Sequence, residues 1–414
     1  MIPADPPRCR FCSAPLRHEM VDLGLSPLCQ TQIPAERLDA MEPFYPLAVR
    51  VCSECFLAQV GEYVPPDEIF ADDYPYFSSF STSWLEHAAR YCERMTVELG
   101  LDGSSLVVEI ASNDGYLLRN FADAGVPVLG VEPAGNVAEA ARAAGVRTEQ
   151  RFLGAASARE LVETYGRADL VLGNNVLAHV PDLNDFVEGL ATLLKPGGRL
   201  TMEFPHLMRL MQGNQFDTIY HEHFSYFSWH TVRQVFAAHG IELFDVDELA
   251  THGGSLRIHG RRAGESEAGP TGRVRHLEAA EARWGVDSLD TYAHFGERVR
   301  AIKRDLLAFL IEQRRAGKSV VGYGAPGKGN TLLNYCGIRT DLLDYTVDRN
   351  PAKRGTWTPG TRIPILDPAR IAETRPDFVL VLPWNLRAEL LEQLDYVRGW
   401  GGRLVFPIPE LEIV

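Results

Sequence analysis

The segment Tyr220-His221-Glu222-His223 sets a phenol, a carboxylate and two imidazoles side by side, and His179 stands upstream of it. An unperturbed imidazole can take a proton near neutral pH. A neighbouring carboxylate or phenol can orient it or donate to a developing oxyanion. Two other readings stay open here, a His-x-His metal site and a hydrogen-bonded surface loop. Four cysteines form two pairs, Cys9-Arg10-Phe11-Cys12 and Cys52-Ser53-Glu54-Cys55. Thiolates on two tight knuckles can close a tetrahedral zinc site, which would stabilise the fold and leave no position for substrate. The competing reading is a redox CxxC or surface thiols, but neither pair has the strand-then-helix setting of a redox motif.

These groups need elements to position them. Apolar runs at 106–110, 128–132, 169–174 and 199–204 alternate with helical patterns that stop at glycine, which predicts a mostly parallel sheet covered by helices. A second series follows at 319–324, 342–348, 378–384 and 403–408, joined to the first by an amphipathic helix over 299–318. Residues before about 70 are rich in Pro and Cys and poor in regular pattern, as in a small domain held by something other than its core. The expectation is an α/β chain with a zinc-binding domain at 1–72, a Rossmann-like middle domain at 73–262 and a second Rossmann-like domain at 263–414.

Composition narrows the function. Of 414 residues 45% are hydrophobic and 23% charged, which excludes wholesale disorder. Lys and Arg number 41 against 55 Asp and Glu, a net charge of −14. That balance argues against an RNA-binding role and against anionic membranes, so an anionic small molecule would need a local cation. No basic-then-apolar leader and no run of eighteen apolar residues is present, so a cytoplasmic chain is expected. No sustained heptad appears, and a monomer is the working expectation.

The run 106–121 begins as a strand ending near Glu109, turns through Asn113 and Gly115, and continues as a helix from Tyr116, whose backbone NH groups can meet a carboxylate or phosphate. Glu132 ends the next strand, where an acidic side chain can accept from both hydroxyls of a ribose. The G-x-G-x-x-G of a dinucleotide site is missing. The ordered set of Glu109, Gly115, Glu132, Asn174 and the Lys195-Pro196-Gly197-Gly198 turn instead resembles the S-adenosylmethionine site of class I methyltransferases. Near the C-terminus Gly322, Gly324, Gly327 and Gly329 surround Lys328 and Asn330 in a strand-to-helix turn. It reads either as a diphosphate cradle or as a degenerate Rossmann turn whose glycines merely pack.

Across all three parts the chain resembles the sugar C-methyltransferases of antibiotic deoxysugar pathways. The resemblance rests on the CxxC pairs, DYPYFSSFS at 73–81, EIASNDGY, YHEHFSYFS, THGGSLR at 251–257 and GYGAPGKGNTLLNY at 322–335. It implies methyl transfer from S-adenosylmethionine to C-3 of a thymidine-diphosphate-linked 4-keto sugar. It further implies His223 as the base, Glu222 orienting it or relaying charge, Tyr220 donating to the enolate oxygen and His179 assisting. Tyr74 or Tyr76 with Ser79 would line the sugar pocket, and Lys328 would meet the nucleotide. Arg257, Asn330 and Asn385 are further substrate-binding candidates, and O- or N-methyl transfer to a similar sugar is the alternative reaction.

Overall fold

In the sequence Tyr45–Val51, Leu47, Val49 and Val51 alternate with the less buried Pro46, Ala48 and Arg50, and they face inward from a strand. The computed structural model describes residues 6–70 and 77–414, so Tyr74 and Tyr76 lie outside the described residues. The first part contributes strands β1 (His18–Ser26), β2 (Tyr45–Val51) and β3 (Ala58–Val60), paired antiparallel. The middle part supplies β4 (Val107–Ile110), β5 (Val128–Val131), β6 (Thr148–Glu149), β7 (Ala168–Asn174), β8 (Leu194–Pro205), β9 (Ser225–Tyr226), β10 (Ile241–Leu249) and β11 (Ser255–Arg262). The last part supplies β12 (Val320–Tyr323), β13 (Thr346–Val347), β14 (Ile365–Leu366), β15 (Phe378–Val381), β16 (Arg403–Phe406) and β17 (Glu412–Ile413).

The middle sheet runs β10-β11-β8-β7-β4-β5-β6, with only β11 antiparallel to its neighbours. The C-terminal sheet runs β14-β13-β12-β15-β16-β17, parallel except for β17. Each has a switch point, between β4 and β7 and between β12 and β15, and in the middle sheet the chain turns back a second time at the edge, from β10 to β11. Such switch points leave a crevice at the carboxyl ends of the strands, where ligands of open α/β sheets bind. β9 does not join the middle sheet; it pairs with β3 and completes the N-terminal sheet as its fourth strand.

Two details differ from the sequence reading. The helix after β4 begins at Leu118 instead of Tyr116 and is six residues long. The Lys195-Pro196-Gly197-Gly198 turn is absorbed into the start of β8 as an irregularity, with Gly197 at φ +75° and a break in the β7 register. The amphipathic helix spans Phe295–Arg315 and buries Val299, Ile302, Leu306, Phe309 and Leu310 along one stripe. It packs between β1 and β12, so one core runs through the N- and C-terminal parts. The helix Gly272–Trp284, beyond the boundary expected at 262, buries Val274 and Leu277 with the middle-domain core. No helix among the described residues is long and apolar enough to cross a membrane.

Candidate active site

A cavity of about 670 Å³ lies where the three parts meet. Gln30 and Phe70 reach it from the first, Glu132 and Asn174 from the sheet's switch point, His223 from the loop before β9, and Lys328 from the C-terminal turn.

At one end the turn after β4 folds onto Glu132. Glu132 accepts from the backbone NH of Asn113 at 2.9 Å and of Ala134 at 3.0 Å, one on each oxygen. Burial raises its pKa, and those two donors oppose the rise. Asn113 adopts φ +50°, and its amide oxygen accepts from the Ser78 NH at 2.8 Å. The neighbouring Asp114 accepts from the Ser79 NH at 3.2 Å, so Ser79 braces this turn while Ser78 lines the cavity. Glu109 and Gly115 do not reach the space. Glu109 is 1% exposed, and burial, then Glu132 and Asp114, push its carboxyl well up. Gly115 stands at φ +75°, and a Cβ there would lie 2.8 Å from Val146, so it shapes the turn.

At the other end lies the histidine cluster. His223 Nδ1 donates to the Thr218 carbonyl at 2.9 Å, which leaves Nε2 as the lone-pair nitrogen of the neutral ring. The partner of Nδ1 is thus the Thr218 carbonyl, where Glu222 was expected to orient the ring or relay charge. Burial, then His179, hold the His223 pKa well below the ordinary histidine value, so the ring is neutral at physiological pH. The His179 ring stands edge-on at 4.7 Å between centroids, its pKa lowered to about 4 by burial. The Tyr220 ring is 4.0 Å from that of His223. Burial alone raises Glu222 to about 8, so at neutral pH its carboxyl is a proton-bearing donor beside neutral imidazoles.

The C-terminal turn projects Lys328 into the cavity. Its ammonium donates to Asn385, which follows β15, and lies 4.5 Å from the centroid of the Trp384 ring. The Trp384 indole donates to Asp217 at 2.7 Å. Burial lowers Lys328 to about 8, with Asp217 opposing. Burial raises Asp217 to about 6, with Lys328 pulling it back. The surrounding glycines are filled by protein: a Cβ on Gly322 would meet Thr346 at 2.6 Å, on Gly324 Pro383 at 2.7 Å, and on Gly329 Leu382 at 3.0 Å. Asn330 is turned away from the cavity and donates to the Cys29 carbonyl at 2.7 Å.

Arg257 is also displaced from the site. It lies directly opposite Glu203 across β11 and β8 and donates to it at 2.5 Å, 4% exposed, with its guanidinium over Tyr91. Glu203 also engages His87 at 2.8 Å and Thr251 at 3.0 Å. The THGG stretch instead delivers His252, held at φ +54° and bonded to Asn175 at 3.2 Å, to the cavity wall.

The four paired cysteines converge. Their sulfurs all lie within 4.8 Å of one another, with Cys9–Cys55 at 3.6 Å, Cys12–Cys52 at 3.5 Å and Cys12–Cys55 at 3.7 Å. A zinc–sulfur length near 2.3 Å in a tetrahedron requires sulfur–sulfur edges of about 3.8 Å, so the cluster fits the ion. No disulfide forms.

Three family models match successive stretches of the chain. Residues 9–70 match the family model "Putative zinc binding domain", 84–246 "Methyltransferase domain" and 250–409 "C-methyltransferase C-terminal domain". C-methyltransferase NovU of Streptomyces niveus is 36% identical over 410 residues, 98% of this chain and 96% of that protein. The chain is a member of the S-adenosylmethionine-dependent C-methyltransferase family. A shorter likeness, 36% over 97 residues, joins this C-methyltransferase to the ubiquinone biosynthesis O-methyltransferase of Bordetella avium, covering 22% of this chain and 39% of that one. Among solved structures, the 1,6-didemethyltoxoflavin-N1-methyltransferase of Burkholderia thailandensis aligns at TM-score 0.37 and 20% identity, over 50% of this chain and 95% of that one.

Sequence reasoning missed two groups in the C-methyltransferase cavity region. Asp217 sits four residues before His221, in a stretch with no motif of its own. His252 lies in the THGGSLR stretch at 251–257 that the sequence singled out, but only the structure shows it held at positive φ on the cavity wall.

Proposed function

We propose that this C-methyltransferase acts on C-3 of a thymidine-diphosphate-linked 4-keto-deoxysugar through an enolate, with His223 Nε2 as the base. The observation that carries the reading is the fixed tautomer: the Thr218 carbonyl accepts a hydrogen bond from Nδ1–H, so the lone pair belongs to Nε2. His223 takes the C-3 proton, and the electron pair moves into the C-3–C-4 enolate. Tyr220 donates to the oxygen at C-4, and Glu222, kept protonated by burial, supplies a second donor, as a neutral carboxylic acid can in an apolar site. S-adenosylmethionine supplies an electrophilic methyl on sulfur, which the C-3 carbanion takes as the carbon–sulfur bond breaks.

Glu132, which follows β5, would accept from the ribose hydroxyls, with Asn113 and Asn174 beside it in the cavity wall. Lys328, bonded to Asn385 and lining the cavity, would meet the diphosphate. His179 borders His223 as a substrate contact.

The test is exchange of the C-3 proton in heavy water, followed by mass and NMR on a thymidine-diphosphate 4-keto-2,6-dideoxy sugar. Deuterium uptake without cofactor that disappears in His223→Asn is the expected result. Absence of exchange on both 3-amino and 3-hydroxy sugars would overturn the enolate reading in favour of O- or N-methyl transfer.

A further inference from the structure

The first cysteine knuckle holds an arginine between its ligands. Arg10 donates to the Val60 carbonyl at 2.7 Å and to Ser225 Oγ at 3.4 Å, and its guanidinium lies 5.4 Å from the centroid of the Phe224 ring. Its backbone NH donates to Gln59, whose amide in turn donates to Cys9 Sγ at 3.3 Å. Phe224 follows His223 directly. Its own NH donates to the Ala178 carbonyl at 2.7 Å, and its carbonyl accepts from the Val60 NH at 3.0 Å. Ala178 precedes His179. One residue, Phe224, is therefore bonded on one side to β3 of the cysteine module and on the other to the segments carrying both histidines.

The module grips the methyltransferase domain at two more points: Asn184 donates to the Phe11 carbonyl at 2.9 Å, and Thr231 donates to the Cys55 carbonyl at 2.9 Å. A zinc ion with four thiolates carries a net charge of −2, which supplies a counter-charge for the Arg10 guanidinium beside it. A stabilising metal alone would not require a cation aimed out of the knuckle at the catalytic loop.

We infer that Arg10 is a positioning residue for methyl transfer: the metal-held knuckle, acting through Arg10 and Phe224, sets the spacing of His179 and His223. The inference rests on the reading of His223 as the base. Misplacing a reacting group by about 1 Å can cost on the order of 100-fold in rate. Arg10→Gln is expected to keep one zinc per chain and an unchanged KM for S-adenosylmethionine while kcat falls about 10- to 100-fold. Arg10→Lys is expected to recover part of the loss.

The deciding readout is independent of turnover: ¹H–¹⁵N imidazole correlations of the ligand-free protein, in which the His179 and His223 signals shift in Arg10→Gln. Phe224→Leu, which leaves the knuckle and the Arg10–Val60 bond in place, is expected to shift the same two signals if Arg10→Gln does not fold. Full zinc with unmoved imidazole signals would overturn the inference, as would an activity loss that tracks zinc loss. If His223→Asn still exchanges the C-3 proton, the base assignment fails, while the imidazole signals still decide whether Arg10 positions the pair.

Discussion

Replacing Arg257 with methionine separates a structural arginine from a substrate ligand. In the wild type the Glu203 carboxylate is fully buried, and burial would raise its pKa, yet His87 and Arg257 together hold it below the usual range. Removing one partner of a buried pair leaves an uncompensated charge, at about 3–5 kcal/mol. Retention of the His87 and Thr251 bonds to Glu203 places the expected cost at the lower end. If the middle domain melts as a unit, that corresponds to a fall in its melting temperature of roughly 6–12 °C. The sign with pH is fixed by linkage: a depressed folded pKa contributes stability above the unfolded carboxylate value and loses it as pH falls through the folded one. In the variant burial prevails and Glu203 titrates higher, so the deficit is largest at pH 8 and shrinks toward pH 5. Differential scanning fluorimetry at both values measures it, and Arg257→Met with Glu203→Gln should recover most of the loss. An unchanged melting temperature with a raised KM for the sugar nucleotide would refute the reasoning and return Arg257 to the substrate.

Four further outcomes follow from the geometry. Glu222→Gln is expected to stabilise the protein increasingly between pH 5 and 8. A folded carboxyl pKa near 8 costs the wild type up to about 4 kcal/mol as pH rises through that window, at 1.36 kcal/mol per pH unit, and melting curves across the range test it. Gly115→Ala, strained at φ +75° and 2.8 Å from Val146, should cost about 1–3 kcal/mol and weaken S-adenosylhomocysteine binding in calorimetry. Lys328→Met removes a charged hydrogen-bond donor worth about 1.5–3 kcal/mol, so titration with thymidine diphosphate should show at least about ten-fold weaker binding with cofactor affinity unchanged. Cys52→Ser should lower bound zinc well below one per chain by metal analysis and reduce the melting temperature.

Spacing carried what could be read from the sequence. Two CxxC pairs and an acidic residue one strand beyond a glycine turn have meaning at fixed offsets, and Cys9, Cys12, Cys52, Cys55 and Glu132 stand where those offsets place them. Arg257 was beyond such reading, because a strand sends alternate residues to opposite faces and only the β8–β11 register shows it opposite Glu203. The C-terminal glycines are the same residues whether they cradle a ligand or pack against Thr346, Pro383 and Leu382; only the neighbours decide. The orientation of His223 was likewise hidden, since its partner is a backbone carbonyl and every residue offers one.

The strand Ser225–Tyr226 that closes the N-terminal sheet has a consequence for synthesis. It leaves the ribosome 165 residues after Val60, roughly 8 to 33 s later at 5–20 residues per second. Throughout that interval Ala58–Val60 presents an open edge, the kind of surface that recruits strands from other chains. A message truncated between these points would release a module able to gather its cysteines yet unable to cover its own border, so full-length translation itself guards this enzyme against misassembly.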